Sequence, residues 1–90
     1  MKYVVFYETP DELRPLARQH FPAHQAWYQS FRERGVLVMI GVFTDPGSDS
    51  AMGVFTSREA AEEFVKGDPF VREGVAARWR IREWNEAIAP

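Results

Sequence analysis

Val36-Leu37-Val38-Met39-Ile40-Gly41-Val42-Phe43 is apolar at every position, with no alternation to mark a wet side. Its β-branched and aromatic content predicts a strand. A strand that is apolar on both faces has to be covered twice. The next segment, Thr44-Asp45-Pro46-Gly47-Ser48-Asp49-Ser50, has the composition of a loop. Ala51 to Thr56 then reads as the return strand of a hairpin with a long tip.

Outward from that hairpin lie two helical patterns. From Pro22 to Arg34, residues His24, Trp27, Tyr28 and Phe31 share one face at i, i+3, i+4 and i+7. Pro22 suits a first helical position and Gly35 a left-handed cap. Downstream, Thr56-Ser57-Arg58-Glu59 is a capping box that opens a helix over Ala60, Ala61, Phe64 and Val65. Gly67 closes that helix. Asp68-Pro69 starts one more short turn, ended by Gly74.

The two ends of the chain complete the pattern. Tyr3 to Glu8 reads as a strand, followed by a second T-x-x-E box, Thr9-Pro10-Asp11-Glu12. That box predicts a short turn which Pro15 interrupts. Val75 to Trp84 alternates, with Val75, Ala77, Trp79 and Ile81 on one side and Ala76, Arg78, Arg80 and Arg82 on the other. The last residues read as a tail. The order is βαββαβ, an α+β ferredoxin-like unit with a four-stranded antiparallel sheet, expected to span 1–90 as one domain.

Two helices cover one face of such a sheet. The other face would expose an apolar patch in a monomer, so a homodimer is expected. Composition points the same way. A chain of 90 residues builds a thin core, and with 0 Cys there is no disulfide or thiolate metal site to reinforce it. With 2 His besides, no metal is expected. Eleven Lys and Arg against 13 Asp and Glu give a net charge of −2, which argues against nucleic acid as a partner. No apolar run reaches the roughly 20 residues of a membrane span, and the opening Met1–Tyr7 run is too short for a signal peptide. The reading is a cytoplasmic protein.

With the pattern in place, the chain resembles the YciI-like (YCII-related) family of the dimeric α+β barrel superfamily. Met1-Lys2-Tyr3 opening into the first strand, Arg18 through Tyr28, Arg34-Gly35-Val36-Leu37, and Ser57-Arg58-Glu59-Ala60-Ala61-Glu62-Glu63-Phe64 carry the resemblance. So does Asp68-Pro69-Phe70, followed by Gly74 and a strand ending at Trp84. The resemblance implies a ferredoxin-like fold, a homodimer and an active-site pair, His24 and Asp68. Relatives in the superfamily include muconolactone-isomerase-like and dehalogenase-like enzymes. One departure is the loop between strands two and three, which is richer in Gly in relatives; Asp45 matches the Asp near its start.

Each candidate also has a structural reading. His24 lies on an aromatic helix face, where it is either a core histidine or a general acid or base. Asp68 precedes Pro69 as an ordinary N-cap does, and its second oxygen remains free to orient His24. His20 reads as a helix flank, and the Arg78, Arg80, Arg82 row as a solvated strand face or an anion site. No phosphate loop, nucleophile motif or metal cluster is present in the sequence, and no cofactor is expected. The leading expectation is a small cofactor-independent enzyme in which His24 and Asp68 move a proton on a small organic substrate. The alternative is a non-catalytic module that binds a small ligand in the same cleft.

Overall fold

The computed structural model describes residues 1–90. Strand β1 (Lys2–Glu8) leads through a 3₁₀ turn (Asp11–Leu13) into helix α1 (Arg14–Glu33). Strands β2 (Leu37–Val42) and β3 (Ala51–Phe55) form the hairpin. Helix α2 (Arg58–Gly67), the short helix α3 (Pro69–Arg72) and strand β4 (Arg78–Trp84) follow. The sheet order is β2-β3-β1-β4 and every pairing is antiparallel, the expected α+β topology.

Register assigns the two faces. Tyr3, Val5 and Tyr7 pair with Phe55, Gly53 and Ala51 on one side of β1, and with Glu83, Ile81 and Trp79 on the other. These residues face the helices, and Val5, Tyr7 and Phe55 join Phe31, Phe64 and Val65 in the core. The opposite, open face carries Val4, Phe6, Met52, Val54, Met39 and Trp84. The β2–β3 register slips between Leu37 and Met39, a bulge at Val38. Met39 therefore pairs with Val54 and points to the open face.

Helix α1 begins eight residues before the expected Pro22 start. Pro15 does not interrupt it but sits in its first turn, where a missing N–H has no partner to lose. Pro22 lies inside the helix, removing the bond to the Arg18 carbonyl at a cost on the order of 3 kcal/mol. Burial of the stripe through His24 and Phe31 outweighs that cost. Thr9 caps nothing: its N–H donates to Ser50 Oγ (2.8 Å), and the 3₁₀ turn follows Pro10 without a side-chain cap. The cap of α2 is Ser57, one residue later than the box predicted, accepting from the Ala60 N–H at 3.1 Å.

The glycine boundaries stand, for two different reasons, and one strand start shifts. Gly35 and Gly74 both have positive φ, 77° and 78°, as chain reversals after helices require. Gly67 does not; it is small because a Cβ there would overlap the Trp27 indole, whose Nε1 donates to the Phe64 carbonyl at 3.0 Å. Strand β4 starts at Arg78 rather than Val75. Val75 and Ala76 are both buried, and the Ala76 N–H is taken by the Phe70 carbonyl at 2.9 Å, so alternation fails there. The tail is tied back: Glu86 pairs with the N-terminus at 2.8 Å and Lys2 at 2.9 Å, holding its carboxyl at about 2, well below the usual range. No helix is long and apolar enough to cross a membrane.

Candidate functional site

Asp68 sits at the joint between α2 and α3 and is fully buried. Its backbone N–H ends α2 by donating to the Phe64 carbonyl at 2.9 Å. Its side chain begins α3 as the expected N-cap, with Oδ1 accepting from the Phe70 N–H at 3.0 Å. Two further groups converge on the same carboxylate. His24 Nδ1 lies 2.8 Å from Oδ1 and 3.0 Å from Oδ2. The Tyr7 hydroxyl donates to Oδ2 at 2.6 Å. A buried carboxylate is tolerated because donors surround it.

Each partner is there for a local reason. His24 is mid-helix in α1, on the stripe that faces the sheet, so no terminal turn positions it. Its ring stacks on Phe70 at 3.8 Å and 3° between planes, and meets Tyr28 edge-on at 5.3 Å. Tyr7 occupies a helix-facing register position of β1. Burial pushes the Tyr7 phenol well above its ordinary value, and the Asp68 charge and hydrogen bond add to the shift. Tyr7 therefore remains a donor.

The carboxylate sets the histidine's tautomer. An ionised carboxylate only accepts, so the ring nitrogen facing it carries the hydrogen. Nδ1 is therefore the nitrogen placed to donate to Asp68, and Nε2 is the one left for the cavity side of the ring. Nε2 has no protein partner, and no buried side-chain nitrogen or oxygen is left unsatisfied anywhere in the chain. His24 lines a cavity of about 870 Å³ between α1 and the β2–β3 side of the sheet. Tyr7, Tyr28, Phe64 and Phe70 line it too, with Ile40 and Val42 from β2. The result is a pocket with aromatic side chains around an oriented imidazole and charged residues at its start-of-α1 and β2–β3 loop end.

Of the other candidates, Asp45 lies on the loop that closes one side of the cavity. His20 is inside α1 rather than flanking it, and is outside the cavity wall. The Arg78, Arg80, Arg82 row is on the open face, away from the pocket. Arg80 makes a two-pronged pair with Asp49 at 2.8 and 3.0 Å and lies over the Phe6 ring at 4.5 Å, a structural use. Sequence reasoning missed Tyr7. The available signal was its place in β1: a tyrosine on a core-facing strand position needs a partner for its hydroxyl.

The family model of the YCII-related domain matches residues 1–85. Among curated proteins, none matches the sequence. One similar solved structure is 5-chloro-2-hydroxyhydroquinone dehydrochlorinase (TftG) from Burkholderia phenoliruptrix AC1100, in complex with 2,5-dihydroxybenzoquinone. It is 16% identical, with a TM-score of 0.79 over 97% of this chain and 96% of the other. A second is MtbAldR, 13% identical with a TM-score of 0.53, matching 99% of this chain but only 58% of its own. At these identities the likeness is one of fold. The match over residues 1–85, in the strand order and with the helix placement described, places the chain in the YCII-related domain family.

Proposed function

We propose that the cavity binds a small planar organic molecule and that His24 moves a proton to or from it. The observation that supports this is the contact of His24 Nδ1 with the buried Asp68 carboxyl at 2.8 Å, in a residue that lines the cavity and whose Nε2 has no protein partner. With Nδ1 donating, the imidazole accepts a proton from a ligand O–H or C–H, and the adjacent carboxylate stabilises the imidazolium that forms. Asp68 is the positioning residue and Tyr7 holds Asp68. The aromatic walls suit a flat ring, and the ring-bound complex of the similar dehydrochlorinase is consistent with that choice. The chain acts as a homodimer, with the open face of the sheet against a second copy. Met39 at 54% and Trp84 at 45% exposure on that face support this.

The test uses 2,5-dihydroxybenzoquinone as ligand and a chlorinated hydroxyhydroquinone as substrate. Wild type is expected to bind the first and to release chloride from the second. His24→Gln is expected to bind but not turn over. Binding without turnover in the wild type would instead establish a ligand-binding module. Full turnover in His24→Gln would remove the histidine from the chemistry.

A further inference from the structure

We infer that the cavity selects an aromatic ligand carrying a carboxylate, and that Arg18 receives that group. This rests on the reading of His24 as the acid–base group and names the ligand class for the same site. One stripe of α1 supplies a whole wall of the cavity: Arg14, Arg18, Phe21, His24 and Tyr28 recur at helical spacing and all line it. Polarity changes along that stripe, from two guanidinium groups to a phenyl ring to the oriented imidazole.

The charges of the wall separate by partner. Arg14 is matched by Asp11 at 3.3 Å, and Asp49 by Arg80 at 2.8 Å. Arg18 has no acidic partner within ion-pair distance and no side-chain hydrogen bond. Asp45 is the unpaired anion, on the loop after β2. Arg18 is therefore the free charge on the wall that holds His24. Six residues separate the two, about 9 Å along the helix axis. That is comparable to a para-disubstituted benzene with the side chains' own reach included. A ring lying across Phe21 would place a hydroxyl at Nε2 and a carboxylate at the guanidinium, which is shaped to take it with two parallel hydrogen bonds.

The experiment compares 4-hydroxybenzoate with 4-hydroxybenzyl alcohol, which differ in charge at one end. Binding is followed by calorimetry, and by NMR of the His24 ring. The acid is expected to bind wild type about tenfold more tightly, with the preference shrinking as salt is raised. Arg18→Gln should reduce the acid to the affinity of the alcohol and leave the alcohol unmoved. Asp45→Asn should tighten the acid, because it removes a repelling charge. Equal affinity for the two probes, no binding of the acid at millimolar concentration, or a preference that survives Arg18→Gln would overturn the inference. If the acid binds through Arg18 while the His24 signals stay still, the ligand class stands and the proton-transfer reading falls.

Discussion

The two faces of the sheet use the same kinds of residue to different ends. On the helix side, β1 and β3 contribute Val5, Tyr7 and Phe55 to a core that α1 and α2 complete. On the open side, Val4 and Val54 are buried, yet Met39 and Trp84 at the flanks stay about half exposed. The helix side also contains a buried carboxyl group, Asp68, with its donors arranged around it. The open side keeps its charges wet: Arg78, Arg80 and Arg82 are exposed. Burying a polar cluster requires several elements to converge, and only the helix side has them. The open side presents a surface that a second sheet of the same kind can cover.

Removing the buried carboxylate should have the largest effect. Asp68→Ala leaves the Tyr7 hydroxyl, His24 Nδ1 and Phe70 N–H without an acceptor in a buried site, and a loss of about 3 kcal/mol or more is expected. Asp68→Asn keeps the cap and should lose clearly less. Urea denaturation of the two variants measures the difference. If Asp68→Ala were as stable as wild type, the helix side would not depend on its polar cluster.

The open side is tested by association rather than by stability. Light scattering at micromolar concentration should give twice the chain mass for wild type. Met39→Asp should lower it to one chain or prevent folding, because Met39 points to the open face. Val38→Asp, at the bulge, should disturb association less. A wild-type monomer would end the assignment of that face to a second copy.

A smaller effect returns to the helix side. The Tyr7 phenol is raised in the folded chain, mainly by burial, whereas in the unfolded chain it ionises near its ordinary value of about 10. Its contribution is complete below that pH and is lost as pH rises above it, since only the unfolded chain then releases the proton. Wild type should therefore lose stability above about pH 10 more steeply than Tyr7→Phe. At neutral pH, Tyr7→Phe should cost about 1–2 kcal/mol through the lost bond to Asp68. Identical alkaline denaturation curves would separate Tyr7 from the cluster.

Much of this arrangement was legible in the sequence, and the failures have physical causes. Strand alternation, the two-faced run Val36 to Phe43 and the Asp68-Pro69 cap all belong to local chemistry, and local chemistry can be read along the chain. The start of α1 could not be read that way. Pro15 and Pro22 are each ambiguous between helix start and helix break, and tertiary burial of the His24 and Phe31 stripe resolved them. Gly67 looked like an ordinary terminator, but its smallness answers to Trp27, forty residues away in sequence. The pairing of His24 with Asp68 came from family resemblance, since nothing in their spacing brings them together. Tyr7 was hidden for the same reason: its partner is 61 residues distant.

Asp68 holds His24 through Nδ1, and the proposed proton transfer needs the ring's proton on that nitrogen and its lone pair on Nε2. The imidazole nitrogen shifts, recorded by NMR across a pH titration, measure this directly. Neutral His24 is expected to show a protonated Nδ1 and an unprotonated Nε2, with the Nδ1 proton shifted downfield by its bond to the carboxylate. His20, on the same helix without that partner, serves as the internal reference. A His24 found with its proton on Nε2, or divided between the two nitrogens, would contradict the proposed role of Asp68.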